Sequence, residues 1–153
     1  MAISVCEVLI TQSPLDLPAR ENDAAAGAIV DFWGVVRALE EGREITGIEY
    51  EAHCPMAEHQ MRGLAEIAIR KFGLTKVLIR HRIGFVPVAE ASIVVHVESA
   101  RRSAAFSANQ WIMDELKRTV PIWKHPVFKD RALLGEIPAG ELQGNLDSSS
   151  ARA

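Results

Sequence analysis

Two lysines on either side of a proline form the segment whose residue types and spacing most strongly indicate chemistry. Within residues 116–126 these are Lys117, Pro121 and Lys124. Proline ends a helix and stiffens the segment that follows, so Lys124 is predicted to project from an extended strand rather than from another helical turn. Such a bend can bring both lysines to one pocket with Trp123 beside them, which suits a flat heterocycle bearing an anion. Spacing alone leaves open the alternative of two solvated lysines that flank a helix end.

Two arginine-containing segments could add anion-binding groups. Arg37 ends an apolar run that contains Gly34, and a guanidinium fork suits a carboxylate or a phosphate. Glycine inside a strand indicates a bulge or the close approach of another chain. Arg101 and Arg102 lie where a strand is predicted to meet a helix, whose free backbone amides could help them hold an anion. Ordinary surface arginines are the alternative reading at both places.

Hydrophobic spacing predicts the elements that must position these residues. Predicted strands cover residues 4–11, 27–37, 45–50, 77–83 and 93–97. A turn at 40–43 is expected to join the second and third strands as a hairpin. One helix runs from Pro55 to the glycine cap at Gly73, and a second runs from about Ser103 to Val120. The predicted apolar face of the second helix consists of Phe106, Ile112, Met113, Leu116 and Val120.

This order of elements predicts an α+β fold with a mainly antiparallel sheet and two main helices. One domain is expected over residues 1–140, followed by a flexible polar tail over 141–153. With 153 residues, the chain is long enough to fold without disulfides or a structural metal.

Charge and motif content narrow the classes of function. The chain has 17 Lys and Arg against 20 Asp and Glu, which disfavours a long nucleic-acid footprint. Residues 1–60 hold three arginines against eleven acidic residues, so the excess of positive charge that could hold an anion lies in the rest of the chain. No membrane span, secretory signal, CxxC pair or metal-ligand spacing is recognisable. A cytoplasmic protein with no metal and no membrane partner is therefore expected.

Several blocks together resemble the large, catalytic subunit of molybdopterin synthase. In chain order they are Gly27-Ala28 with Phe32, Gly34 and Val36-Arg37; Glu49-Tyr50-Glu51-Ala52 with Met56-Ala57; His81-Arg82 with Gly84; Arg102 with Ala105-Phe106; and Leu116-Lys117 with Val120-Pro121-Ile122-Trp123-Lys124. The resemblance covers roughly residues 5–130, and the last block is the most specific mark of this family.

The resemblance implies an α/β-hammerhead fold, a homodimer, and a heterotetramer with one small ubiquitin-like sulfur-carrier subunit at each end. It further implies a sulfurtransferase that needs no cofactor. The small subunit's C-terminal Gly-Gly thiocarboxylate enters a pocket and delivers sulfur to cyclic pyranopterin monophosphate, which forms the dithiolene of molybdopterin in molybdenum cofactor biosynthesis. Lys117 and Lys124 match the family's essential, catalytic lysines. The candidate substrate-binding residues are Phe32, Arg37, Arg101, Arg102, Met113, Trp123 and His125.

Two departures from the family pattern bear on activity. Arg101 stands where the family usually has His, and His125-Pro126 stand where it usually has Lys-Glu, which removes an acid near the site. Lys117 could transfer protons or attack the acyl group of the small subunit, and the sequence leaves both roles open. The alternative function is a non-catalytic or altered-partner family member that binds a pterin or another anion. An RNA-binding domain is disfavoured by the acidic charge balance and by the lack of an aromatic stacking platform.

Overall fold

The computed structural model describes residues 4–130 and the backbone of residues 151–152. Within these residues the chain forms nine strands and two helices. The elements are β1 (Val5–Thr11), β2 (Ala28–Val35), β3 (Leu39–Glu40), β4 (Arg43–Ala52), α1 (Cys54–Phe72), β5 (Leu74–Arg82), β6 (Gly84–Pro87), β7 (Ala91–Ser99), α2 (Arg102–Thr119), β8 (Ile122–Phe128) and β9 (Ala151–Arg152). The predicted boundary at residue 140 and the predicted tail, apart from β9, lie outside the described residues.

The first sheet has four strands in the order β1-β5-β7-β2. β1 runs parallel to β5, whereas β5 with β7 and β7 with β2 are antiparallel pairs. Both helices pack on this sheet, α1 against β1 and β5, and α2 against β7 and β2. The mainly antiparallel α+β fold predicted from the element order is confirmed.

The second sheet is built around β4, which pairs with β3, β6 and β8. This arrangement shows that the predicted hairpin between the strands at 27–37 and 45–50 is wrong, because β2 pairs with β7 in the other sheet. The turn at Glu41 and Gly42 exists, with φ values of 52° and 74°, but it closes the short β3–β4 hairpin. Both turn residues have positive φ, as a two-residue hairpin turn of this kind requires. β2 ends at Val35, before the turn, and the next residue, Val36, donates its backbone N–H to the carbonyl of Glu90, just before β7.

Both helices begin and end close to their predicted limits. Pro55 lies in the first turn of α1, and Gly73 caps its end with a left-handed φ of 66°. The buried stripe of α2 contains Ala105, Ala108, Asn109, Ile112 and Leu116. Phe106, predicted to belong to this stripe, is 62% exposed because it lies one position, about 100°, away from Ala105 around the helix. Neither helix of the described residues is long and apolar enough to cross a membrane.

Candidate active site

Three cationic side chains line one cavity of about 340 Å³ at the C-terminal end of α2. Lys117 belongs to the last turn of that helix, where the helix dipole favours a positive charge. The chain becomes extended at Val120, with φ −84° and ψ 129°, and Lys124 follows on β8. Arg37, located just past the end of β2, is the third cation. The two lysines that flank Pro121 in sequence therefore lie at the same cavity, Lys124 on a strand as predicted.

The apolar wall of the cavity comes from the two neighbouring elements β2 and α2. Phe32 on β2 and Met113 on α2, both predicted as substrate-binding residues, line it. Asn109 fixes α2 against the sheet, since its Nδ2 donates to the carbonyl oxygens of Val30 on β2 and Val95 on β7, both at 3.0 Å. Asn109 is only 4% exposed, and sequence analysis did not identify it because one polar residue in a helix carries no signal of burial.

Gly34 lies where β2 leaves its register with β7, and it also lines the cavity. A Cβ atom at this position would lie 2.7 Å from Cγ2 of Ile93, closer than side chains pack. The predicted bulge is present, and the side chain that approaches this position is Ile93 of the same chain rather than a residue of another chain. The absence of a side chain at this position therefore keeps β2 close to Ile93.

The inner part of the cavity is formed by polar groups that carry no charge at neutral pH. The His81 Nδ1–H donates to the carbonyl of Arg82 at 2.8 Å, and burial lowers the pKa of His81 to about 4. Burial also raises the pKa of Tyr50, whose ring packs edge-on against His81 with the ring centroids 5.3 Å apart. Sequence analysis placed both residues in family blocks without assigning them to the pocket. Because these groups are neutral, the three cations and any nearby carboxylate determine the charge of the cavity.

One carboxylate lies among these cations, and sequence analysis had assigned it only to a turn. Glu40 Oε1 lies 3.2 Å from Lys124 Nζ, and Glu40 Oε2 lies 4.0 Å from Arg37 Nη2. No motif marks Glu40, because its contact with Lys124 joins residues 84 positions apart in the chain.

Four predicted substrate-binding residues do not line this cavity. Trp123 and His125 flank Lys124 on β8, where successive side chains point to opposite faces. His125 Nε2 instead lies 3.4 Å from Glu51 Oε2. Arg101 and Arg102 are exposed at the start of α2. Arg102 precedes Lys117 by fifteen residues, which separates the two by about 22 Å along the helix axis.

A larger cavity, of about 620 Å³, lies beside residues 20–29. Its charged lining residues are Arg20, Glu21, Asp23 and Glu98. Three carboxylates against one guanidinium repel an anion, so this cavity does not offer the chemistry that the cavity at Lys117 and Lys124 offers.

The comparisons with known proteins agree with one another. The family described as MoaE protein matches residues 10–119. A molybdopterin synthase catalytic subunit from Thermoplasma volcanium is 42% identical over 118 residues, which cover 77% of this chain and 86% of that protein. The human protein of the same name is 40% identical over 104 residues, 68% of this chain and 55% of that protein. The crystal structure of molybdopterin synthase from Staphylococcus aureus superimposes with a TM-score of 0.73 at 30% identity, covering 79% of this chain and 90% of that one. The family match extends over most of the residues that form the two sheets and the cavity. This chain therefore belongs to the MoaE protein family.

Proposed function

We propose that this chain is the catalytic subunit of a molybdopterin synthase, which transfers sulfur from a thiocarboxylated carrier protein to cyclic pyranopterin monophosphate. The observation that carries this proposal is the convergence of Lys117, Lys124 and Arg37 on one cavity with an uncharged interior. Such a cavity attracts both the thiocarboxylate and the cyclic phosphate. It would also stabilise the negative charge that develops as the cyclic phosphate opens. The names of the relatives support the same activity.

Lys117 is proposed as the residue that acts on the reacting groups, with Lys124 holding anionic charge beside it. Lys117 is exposed at the cavity, so a protein tail and a small substrate can both reach its amine. A neutral lysine amine can accept a proton, or it can attack the acyl carbon of the thiocarboxylate, in which case an amide forms as the C–S bond breaks and the sulfur leaves as hydrosulfide. Arginine can do neither near neutral pH, since its guanidinium stays protonated. Replacement by arginine therefore separates these roles from simple charge stabilisation.

The proposed sulfur donor is the C-terminal Gly-Gly thiocarboxylate of a small ubiquitin-like subunit. A second, more apolar cavity of about 400 Å³ shares Phe32, Met113 and Lys117 with the first and also includes Phe106. Its lining also includes Asp31 and Asp114, which suit the uncharged backbone of an extended glycine-rich tail better than a phosphate. Lys117 lies where the two cavities meet, so the thiocarboxylate at the end of the tail would lie at that lysine. We therefore assign the second cavity to the tail and the cationic cavity to the pterin phosphate.

The proposed assembly is a homodimer that binds one small subunit at each end. Arg102 matches a family pocket residue but lies about 22 Å from Lys117 along one helix. A single pterin phosphate cannot easily contact both residues of one chain. If both act on one substrate, a two-fold symmetric dimer must bring Arg102 of one copy to Lys117 of the other.

Reconstitution tests the activity directly. The chain is incubated with a thiocarboxylated small subunit and cyclic pyranopterin monophosphate, and the dithiolene product is measured. The same small subunit with an ordinary carboxylate is the matched control and should give no product. Complex formation without dithiolene would contradict the proposal and favour the non-catalytic, anion-binding alternative.

A further inference from the structure

The two carboxylate oxygens of Glu40 face two different cations of the cavity. Oε1 lies 3.2 Å from Lys124 Nζ, and Oε2 lies 4.0 Å from Arg37 Nη2. The side chains of Glu40 and Lys124 are only 17% and 27% exposed, whereas that of Arg37 is 82% exposed. Water and salt screen an exposed ion pair far more than a sheltered one. Glu40 therefore acts mainly on Lys124.

The backbone around Glu40 is tied to the strand that carries Lys124. Glu40 pairs with Arg43 across the two-residue turn that closes the β3–β4 hairpin. Arg43 in turn places Nη2 2.7 Å from Asp130 Oδ2 and its guanidinium carbon 3.9 Å from the centre of the Phe128 ring, at the end of β8. The hairpin that carries Glu40 is thus joined to the strand of Lys124 both by these contacts of Arg43 and by the pairing of β4 with β8.

An ion pair of this kind has a specific consequence for a lysine at an active site. The lysine side chain has four rotatable bonds, and its amine loses much freedom when it must stay at one position. If an ion-pair partner already holds the amine before the substrate binds, substrate binding no longer includes this loss of side-chain entropy. Glu40 also cancels one of the three positive charges, which weakens the attraction of the cavity for an anion.

We propose that Glu40 is a positioning residue that holds the Lys124 ammonium group at the cavity before substrate binds. The effect on turnover rests on the proposed function, whereas the effect on the Lys124 amine does not. Removing the carboxylate should lower kcat, because Lys124 is no longer held in place. The KM for the pyranopterin substrate should stay the same or fall, because the cavity then carries one more uncompensated positive charge.

The first measurement needs no enzymatic activity. The intact chain is acetylated with N-acetoxysuccinimide, and mass spectrometry of peptides gives the initial labelling rate of Lys124 relative to Lys71 on α1. Because the ion pair must break before the amine reacts, Glu40→Ala should raise this ratio about three- to tenfold. Glu40→Asp keeps the charge on a shorter side chain, so its labelling ratio should lie between those of wild type and Glu40→Ala. Glu44→Ala is the matched control, since Glu44 lies on the same hairpin, pairs with Lys129 and should leave the ratio unchanged.

Steady-state sulfur transfer by the same variants gives the second measurement. Glu40→Ala should lower kcat about three- to tenfold without raising KM, and Glu40→Asp should recover part of the loss. If Glu40→Ala melts more than a few degrees below wild type, Glu40→Gln, which keeps the size of the side chain, replaces it in both measurements. An unchanged labelling ratio, or a raised KM at normal kcat, would overturn the positioning role. If Glu40→Ala raises the labelling ratio but the wild-type chain transfers no sulfur, the positioning of Lys124 is supported and only the proposed function is contradicted.

Discussion

Mixing two impaired variants should restore activity if the site is shared between two copies of the chain. The two variants are Lys117→Ala, at the end of α2, and Arg102→Ala, at its start. Fifteen residues at about 1.5 Å each separate these positions by about 22 Å along the helix axis, so one small pterin phosphate cannot easily contact both side chains. A two-fold dimer that pairs Arg102 of one copy with Lys117 of the other removes this conflict.

The expected recovery follows from counting sites. Random assortment of equal amounts makes about half of the dimers mixed. In each mixed dimer one pocket contains both substitutions. The other pocket contains neither, because it combines the intact Lys117 of one subunit with the intact Arg102 of its partner. About a quarter of all sites, and about a quarter of wild-type turnover, should therefore reappear.

The assay measures dithiolene formation after the two variants are unfolded together and refolded, with native mass spectrometry to verify mixed dimers. Each variant refolded alone gives the parental activities. Activity no higher than the parental average in verified mixed dimers would refute the shared site and would assign Arg102 to a separate surface. Near-normal activity of Arg102→Ala alone would remove Arg102 from the reaction altogether.

Three further outcomes follow from the described contacts. Lys117→Ala should abolish dithiolene formation with an unchanged circular dichroism spectrum, and Lys117→Arg should not restore it; near-normal turnover of the alanine variant would refute the assigned role. Asn109→Ala should lower the free energy of unfolding in urea by about 2 kcal/mol, because two strand carbonyls lose their donor, whereas the neighbouring, exposed Gln110→Ala should change it little. Folded His81 binds its proton near pH 4 and unfolded histidine near pH 6.5, so the unfolded chain binds more protons between these values and stability should fall as the pH drops through that range. The loss should approach about 3 kcal/mol at pH 4, and His81→Gln should reduce the slope of stability against pH; equal slopes would contradict the assigned burial effect.

Local sequence signals determined the helices and the position of Lys124 on a strand. Pro55 and Gly73 act on the backbone within a turn of where they stand, so the limits of α1 could be predicted without knowing its neighbours. The same holds for Pro121, which keeps Lys124 out of the helix that carries Lys117. The family of the chain, and with it the role of Lys117 and Lys124, came instead from the blocks of residues that resemble the family, since spacing alone left two solvated lysines as an alternative.

Pairing between distant segments was decided only by the tertiary structure. The apolar run of β2 is compatible with either sheet, and its pairing with β7 rather than β4 depends on contacts across more than fifty residues of chain. Strand alternation then directs Lys124 to the cavity and its neighbours Trp123 and His125 away from it. Glu40 reaches Lys124 through the β3–β4 hairpin, whose turn the sequence predicted but whose first strand it placed at 27–37. One acidic residue in an acidic half of the chain has no feature that marks its partner. Sequence therefore named the three cations of the cavity together with Arg101 and Arg102, which lie elsewhere. The fold determined which of these cations converge and which carboxylate restrains them, because an ion pair depends on distance in space and not on distance along the chain.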